Sequence, residues 1–382
     1  MIIVGGGGHG LATAYYLAKE HGIRRVAVIE KGWLGGGNTG RNTTVVRSNY
    51  FYPETAHFYD LSLKLYEGLS RELNFNVMLS QRGQLTIGHT THQMEMLARW
   101  LNAMQLNGID GDLLGPAQVR EWLPQLNGSP NARYPVKGAL LQRRAGIARH
   151  DAVAWGYARA ADARGVDIIQ NCEVLGFVRE RDRIAGVQTS LGTIRAPKVG
   201  LAVAGHSTVL AAKAGFRLPV TSYALQALVT EPIKPTLNCV FVSMATGTYG
   251  SQSDKGELVI GGGLDLYPSY AQRGNLPTLQ GVIAGLLELF PAFSRLRMLR
   301  QWAGIVDVVH DSTPIIDRAP VNGIYLSCGW GTGGFKAIPG GGVVFAHLIA
   351  TDQPHRLAET FTLKRFSAGH LIDEAAAAGI SH

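Results

Sequence analysis

Cysteine is scarce in this chain. Cys172, Cys239 and Cys328 are the only three among 382 residues, and no CxxC spacing joins any two of them. That argues against a disulfide framework and a cysteine-based zinc site, and it fits a reducing, cytoplasmic setting. Long apolar runs are missing too. The longest, VGLAVAG (199–205) and VVFAHLIA (343–350), are far shorter than a bilayer span requires. The opening MIIVGG reads as a strand and not as a signal peptide, and so abrupt a start implies an N-terminal arm ahead of it. The net charge is +8, yet the basic residues form no run and accompany no aromatic platform. Their densest points are the pairs Arg24-Arg25 and Arg143-Arg144. Nucleic acid is therefore a poor match, and an anionic ligand or an acidic partner a better one. No repeat, low-complexity linker or G-X-Y period is present.

Glycine is abundant, with 48 residues, and it is clustered. The first cluster contains Gly5, Gly7 and Gly10 in a G-x-G-x-x-G arrangement between an apolar strand and a helical pattern. Twenty residues past Gly10, Glu30 closes a second strand, RRVAVIE. This is the dinucleotide fingerprint: glycines for a tight turn, backbone approach to a pyrophosphate and close packing, with an acid for a ribose diol. An acid at that place favours FAD or NAD over NADP. Two further pieces suit the longer FAD. VGLAVAGHS ends in an Ala-Gly segment at Gly205, and CGWGTGGFKA supplies Gly331 and Gly334 before a helix that starts near Ile338-Pro339. The positive end of that helix would stabilise the N1–C2=O edge of a reduced flavin.

The patterning predicts helices at about 53–72, 91–107, 116–122, 207–215 and 277–290, and one entered at His150. Strand-rich blocks lie at 82–90, 137–142, 166–205 and 218–265. The two kinds of block alternate, which predicts an α/β chain. A Rossmann-type FAD-binding domain (1–80, 138–217, 300–382) is interleaved with an α+β substrate domain on an antiparallel or mixed sheet (81–137, 218–299).

Several polar residues fall where chemistry would need them. NTGRNTTVVRSNY (38–50) offers Arg41 and its neighbouring asparagines and threonines to phosphates or a flavin ring. Arg47, beyond it, and Lys336, after the last glycine loop, would suit an amino-acid carboxylate if they converge; surface salt bridging is the plainer reading. His150 stands between Arg149 and Asp151, with Asp151 as the expected N-cap. Read locally it is a surface histidine ahead of a helix.

The segments GGGGHGLATAYYLA, EKGWLGGGNTGRNTT, RSNY, ARHDAVAWG, SQSDKGELVIGGG, WAGIVDV and GWGTGGFKA resemble the beta subunits of heterotetrameric sarcosine oxidases. The likeness spans essentially the whole chain, within the wider group of glycine-oxidase and D-amino-acid-oxidase-like flavoproteins. It implies oxidative demethylation of sarcosine to glycine by hydride transfer to noncovalent FAD. It further implies that electrons pass to FMN bonded through its 8α-methyl to His150, and then to dioxygen, giving hydrogen peroxide. The imine is captured by tetrahydrofolate. By the same resemblance, NAD and the folate site would belong to an alpha subunit and zinc to a delta subunit, with a gamma subunit completing the assembly. The resemblance assigns FAD contacts to Gly8, His9, Glu30, Asn38, Asn42, Thr43, Val45, Val174, Gly331, Gly334 and Lys336, and matches Arg47 and Lys336 to the carboxylate pair. Single-subunit relatives tether FAD through a cysteine in the segment matching GIVDVVHD (304–311), which has none here. Their oxygen-activating lysine aligns with Val259. Other amine dehydrogenases, acting on proline or dimethylglycine, and a noncatalytic FAD-fold scaffold are the alternative readings.

Overall fold

The computed structural model describes residues 1–129 and 131–374. Its first sheet has six strands in the order Ile315–Arg318, Ile324–Cys328, Val199–Leu201, Ile2–Val4, Ala27–Ile29, Asp167–Ile169. All neighbours pair in parallel except the first two. The short strands are apolar on both faces, as a parallel sheet covered on both sides requires. Ile3 and Val28 point to one core, with the helices Gly8–Glu20, Pro53–Glu72, His150–Asp162 and Ile338–Thr351. Ile2, Val4 and Ile29 point the other way, onto a three-stranded antiparallel sheet (Val174–Glu180, Arg183–Thr189, Gly192–Arg195). Helices, parallel sheet and small sheet thus form three layers.

The second sheet has eight strands: Met298–Val309, Val220–Pro232, Glu257–Pro268, Tyr249–Gln252, Val240–Ser243, Gln84–Gly88, Gly138–Gln142 and Asp112–Leu114. Only Val240–Ser243 and Gln84–Gly88 pair in parallel, so the sheet is mixed. Side-chain alternation divides its faces. Leu85 and Ile87 turn to a core shared with the helices Leu276–Leu289 and Pro116–Trp122, while Gln84 and Thr86 turn to a cavity.

Two expected boundaries shift. Gly138–Gln142 pairs with Gln84–Gly88 along its whole length, and Met298–Val309 pairs with Val220–Pro232. Both strands therefore belong to the eight-stranded sheet, although the boundaries at 138 and 300 put the first and nearly all of the second with the FAD-binding segments. Backbone pairing between distant segments decides this, and local pattern does not carry it. Asp151 is also not the N-cap. The helix runs His150–Asp162, with Arg149 in extended geometry before it. The Asp151 carboxylate is instead taken by the Arg149 guanidinium at 2.9 and 3.2 Å. Among the described residues no helix is long and apolar enough to cross a membrane.

Candidate active site

A cavity of about 1120 Å³ lies between the two sheets. Its floor is the fingerprint. Gly5, at φ +111°, makes the turn after the first strand, and a Cβ there would overlap the Ala202 carbonyl oxygen. Gly7 caps the helix Gly8–Glu20, whose first turn holds no acidic residue and no side-chain cap. The positive end of that helix is left open to an anion. The Gly8 N–H donates to Thr39 Oγ1 at 2.9 Å, which ties the turn to the loop above it. Gly10 does not line the cavity. It packs behind the turn, where a Cβ would overlap the Gly5 carbonyl oxygen.

Glu30 lines the cavity at the end of the second strand. Its Oε2 accepts the Gly6 N–H and its Oε1 the Gly32 N–H, each at 2.8 Å. Two backbone donors thus fix the carboxylate while leaving lone pairs for a diol. Cys172, Glu173 and Val174 form the adjoining wall. Gly205 lies outside the lining: it abuts Ile305, and the neighbouring Ala202, Val203 and Ala204 face the cavity instead.

The loop 38–45 forms one side. Asn38 grips the backbone of Ile305 twice, donating to its carbonyl and accepting its N–H at 2.8 Å. Asn42 Oδ1 accepts the Thr44 N–H at 2.5 Å, holding Thr44 at φ +67°. Arg41 lines the cavity, yet its guanidinium donates to the Gly36 and Gly37 carbonyls, so it braces the loop. Thr43 and Val45 face the cavity, and the Thr43 hydroxyl donates to the Tyr249 hydroxyl at 3.4 Å.

The opposite side is the last glycine loop. His9 stacks on Trp330 with ring centroids 4.3 Å apart, and its Nε2 bonds the Gly334 carbonyl at 2.8 Å. Burial lowers the His9 pKa to about 4, so Nε2–H is the donor of a neutral ring. Gly331, at φ +49°, has nothing within 4 Å of where a Cβ would project, and it lines the cavity beside Gly334. The helix Ile338–Thr351 follows, with Pro339 in its first turn and no acid there.

Two cations enter this cavity. Lys336 is only 6 % exposed, and its Nζ donates to the Thr332 carbonyl at 2.9 Å. Burial, and then the Arg47 charge, hold its pKa well below the ordinary value. Arg47 donates to Asn49 Oδ1 at 2.8 Å and lies over the Tyr50 ring. Among the described residues neither cation has a carboxylate within salt-bridge distance, which rules out the plainer salt-bridge reading for both. Buried, unpaired positive charge is costly unless an anion completes it.

His150 stands apart from the cavity lining. It is half-buried, its Nδ1 is buried without a partner, and burial lowers its pKa. It lies behind the cavity wall: the Ala148 N–H donates to the Thr44 carbonyl at 3.0 Å, and Val45 pairs with Ile147.

Sequence reasoning missed several lining groups. Asp307 is fully buried, and its carboxylate accepts the Gly329 N–H at 2.7 Å. Burial raises its pKa to about 7, against bonds from the backbone of its own residue and of 329–331. A lone acid inside the apolar strand AGIVDVV was the available signal. Tyr249, Gln84 and Trp100 carried none, because sheet pairing and helix packing bring them in. Gln84 Oε1 and Trp100 Nε1 are buried without partners on the roof of the cavity.

An extended dinucleotide fits these features. The open helix terminus suits a pyrophosphate, the anchored Glu30 a ribose, and the clear space at Gly37 and Gly331 a close backbone approach. With two cations in the same lining, the site defines a flavin-dependent amine oxidoreductase. The family model "FAD dependent oxidoreductase" matches residues 1–348. The chain is 53% identical over 382 residues to a sarcosine oxidase subunit beta of Arthrobacter sp, covering 100% of this chain and 94% of that one. It is 56% identical over 374 residues to the Rhizobium meliloti (strain 1021) subunit of the same name, covering 98% and 90%. Among solved structures, L-proline dehydrogenase from P. horikoshii superposes with a TM-score of 0.90 at 29% identity, over 97% of this chain and 98% of that one. The chain belongs to the FAD-dependent oxidoreductases and, within them, to the sarcosine oxidase beta subunits.

Proposed function

We propose that this chain oxidises the N-methyl group of sarcosine, binding the substrate carboxylate between Arg47 and Lys336. The observation that carries this reading is a pair of cations without a salt-bridge partner among the described residues, both lining a dinucleotide-sized cavity. Bound FAD supplies the two-electron acceptor. The helix Gly8–Glu20 would hold its pyrophosphate, Glu30 a ribose, and the start of Ile338–Thr351 the flavin pyrimidine edge. No cysteine lies in the strand segment 304–311, which supports noncovalent binding.

Arg47 and Lys336 do more than bind. Their positive field and the low-dielectric cavity disfavour a substrate ammonium, so the neutral amine is selected. Loss of a hydride from its N-methyl carbon then leaves an iminium. The reaction rate should rise with pH through the amine's apparent pKa, and a flat profile would count against this selection.

His150 is proposed as the tether of FMN, the second electron carrier. Its unpartnered, buried Nδ1 and lowered pKa support a neutral nucleophilic ring, and a single two-stranded ladder separates it from the cavity. Trp155, later on the same helix, is 49% exposed and suits a subunit contact at this junction. The proposed assembly carries alpha, gamma and delta partners, with NAD, tetrahydrofolate and zinc on them. Dioxygen would take the electrons, folate the one-carbon unit, and the setting would be cytoplasmic.

Anaerobic addition of sarcosine tests the core of this reading: the bound flavin should bleach. Flavin that stays oxidised refutes it. Bleaching by proline and not by sarcosine would favour a proline dehydrogenase, the second reading supported by the likeness to the P. horikoshii enzyme.

A further inference from the structure

Glu374 lies far along the chain from the glycine loops, yet it ends beside the substrate cations. It is 5 % exposed. Its Oε2 accepts the Phe51 N–H at 3.0 Å and its Oε1 the Tyr52 N–H at 2.8 Å, while the Thr55 hydroxyl also donates to Oε1. These donors surround the start of the helix Pro53–Glu72, where Tyr52 offers no side-chain cap of its own. The cap therefore comes from more than 300 residues away. Its approach is anchored as well. The Ile372 N–H donates to Asp311 at 3.2 Å, its carbonyl accepts the Thr313 hydroxyl at 2.7 Å, and the buried Arg365 pairs with Asp311.

The clamped segment adjoins the ring on which the cavity-lining Arg47 rests. Tyr50 directly precedes the two N–H donors. Its ring lies flat on Tyr59, with centroids 3.7 Å apart and planes 9° from parallel. The Arg47 guanidinium rests over that ring, 4.6 Å from its centroid. The Tyr59 hydroxyl in turn abuts Gly333 in the last glycine loop. Glu374 faces Arg47 electrostatically without being in salt-bridge contact with it. It is not its salt-bridge partner, so the guanidinium keeps donors free for a ligand.

We infer that Glu374 is a positioning residue for the substrate carboxylate site, fixing the Tyr50 platform and through it the Arg47 fork. This rests on the proposed reading of Arg47 and Lys336 as carboxylate ligands. The Gln variant keeps the shape, but its amide NH₂ must meet one of two backbone donors, so the clamp loosens.

The test is Glu374→Gln in the full, FAD-loaded chain, read by steady-state kinetics with sarcosine and by flavin absorbance during acetate titration. KM for sarcosine and Kd for acetate should each rise about tenfold, with kcat held within about twofold and flavin content unchanged. A lowered melting temperature with unchanged KM and acetate Kd would show a purely structural cap and overturn the inference. If the Gln variant does not retain FAD, Thr55→Val decides: it removes one donor to the carboxylate and should raise KM about threefold, and an unchanged KM overturns the inference. Arg47→Ala is measured alongside. An unchanged KM in that variant defeats the carboxylate-site reading itself, whereas a raised KM there with none in Glu374→Gln defeats only the role of Glu374.

Discussion

Arg47 and Lys336 are like charges turned into one cavity, and the first helps to weaken the proton affinity of the second. No carboxylate among the described residues relieves either one at salt-bridge distance. Such a pair destabilises the fold until an anion arrives, which makes stability and binding opposed at this place. Lys336→Met should therefore raise the melting temperature while weakening sarcosine binding. Arg47→Ala should raise KM about 10- to 100-fold with FAD retained. Thermal melts beside initial-rate kinetics check both, and unchanged kinetics would remove the residue concerned from the site.

Glu30 is fixed by two backbone donors. Glu30→Gln keeps the shape but sets its amide NH₂ against one of those N–H groups. FAD should bind about tenfold more weakly, as measured by titrating the apoprotein and following flavin fluorescence. An unchanged dissociation constant would detach Glu30 from the ribose.

Gly10 has no room for a methyl group, because a Cβ would overlap the Gly5 carbonyl oxygen. Gly10→Ala must push the helix Gly8–Glu20 away from the first strand. A loss of at least about 2 kcal/mol is expected, seen as a lowered denaturation midpoint and loss of bound flavin. Gly37→Ala meets nothing within 4 Å and should leave the fold as stable as before.

Asp307 is held protonated by burial, with its pKa raised to about 7. A raised folded pKa favours the native state fully below the unfolded value, and that contribution is lost as pH rises through about 7. Asp307→Asn lacks this titration. Its melting temperature relative to the wild type should therefore climb between about pH 5 and about pH 8. A constant difference across that range would show that Asp307 does not titrate there.

His150→Ala should abolish acid-stable flavin while leaving FAD in place. Acid precipitation followed by a flavin spectrum of the pellet and supernatant reads both. Flavin that still coprecipitates would mean that another residue forms the bond.

Local signals carried much of the chain. The turn at Gly5 to Gly10 and the acid at Glu30 were legible because their spacing is short and their chemistry specific. The helices Pro53–Glu72 and Pro116–Trp122 follow their apolar periodicity and have proline in the first turn. What stayed hidden depends on distant pairing. Gln84 reaches the cavity because Gln84–Gly88 lies between Gly138–Gln142 and Val240–Ser243. Nothing near residue 84 announces either neighbour. The same holds for Glu374, whose partners are residues 51, 52 and 55. Asp151 falls one residue inside the helix, which begins at His150, so its carboxylate pairs with Arg149 and caps nothing; capping preference alone does not fix that start.

Asn38 holds both backbone groups of Ile305, 267 residues further on. The loop over the pyrophosphate turn is thus latched to an edge strand of the other sheet. Loop closure across such a separation is slow and comes late. On a ribosome, the glycine turn emerges long before Ile305 and waits for that strand before its latch can form. Flavin capture then reports completed folding, and a truncated product ending before residue 305 should emerge colourless.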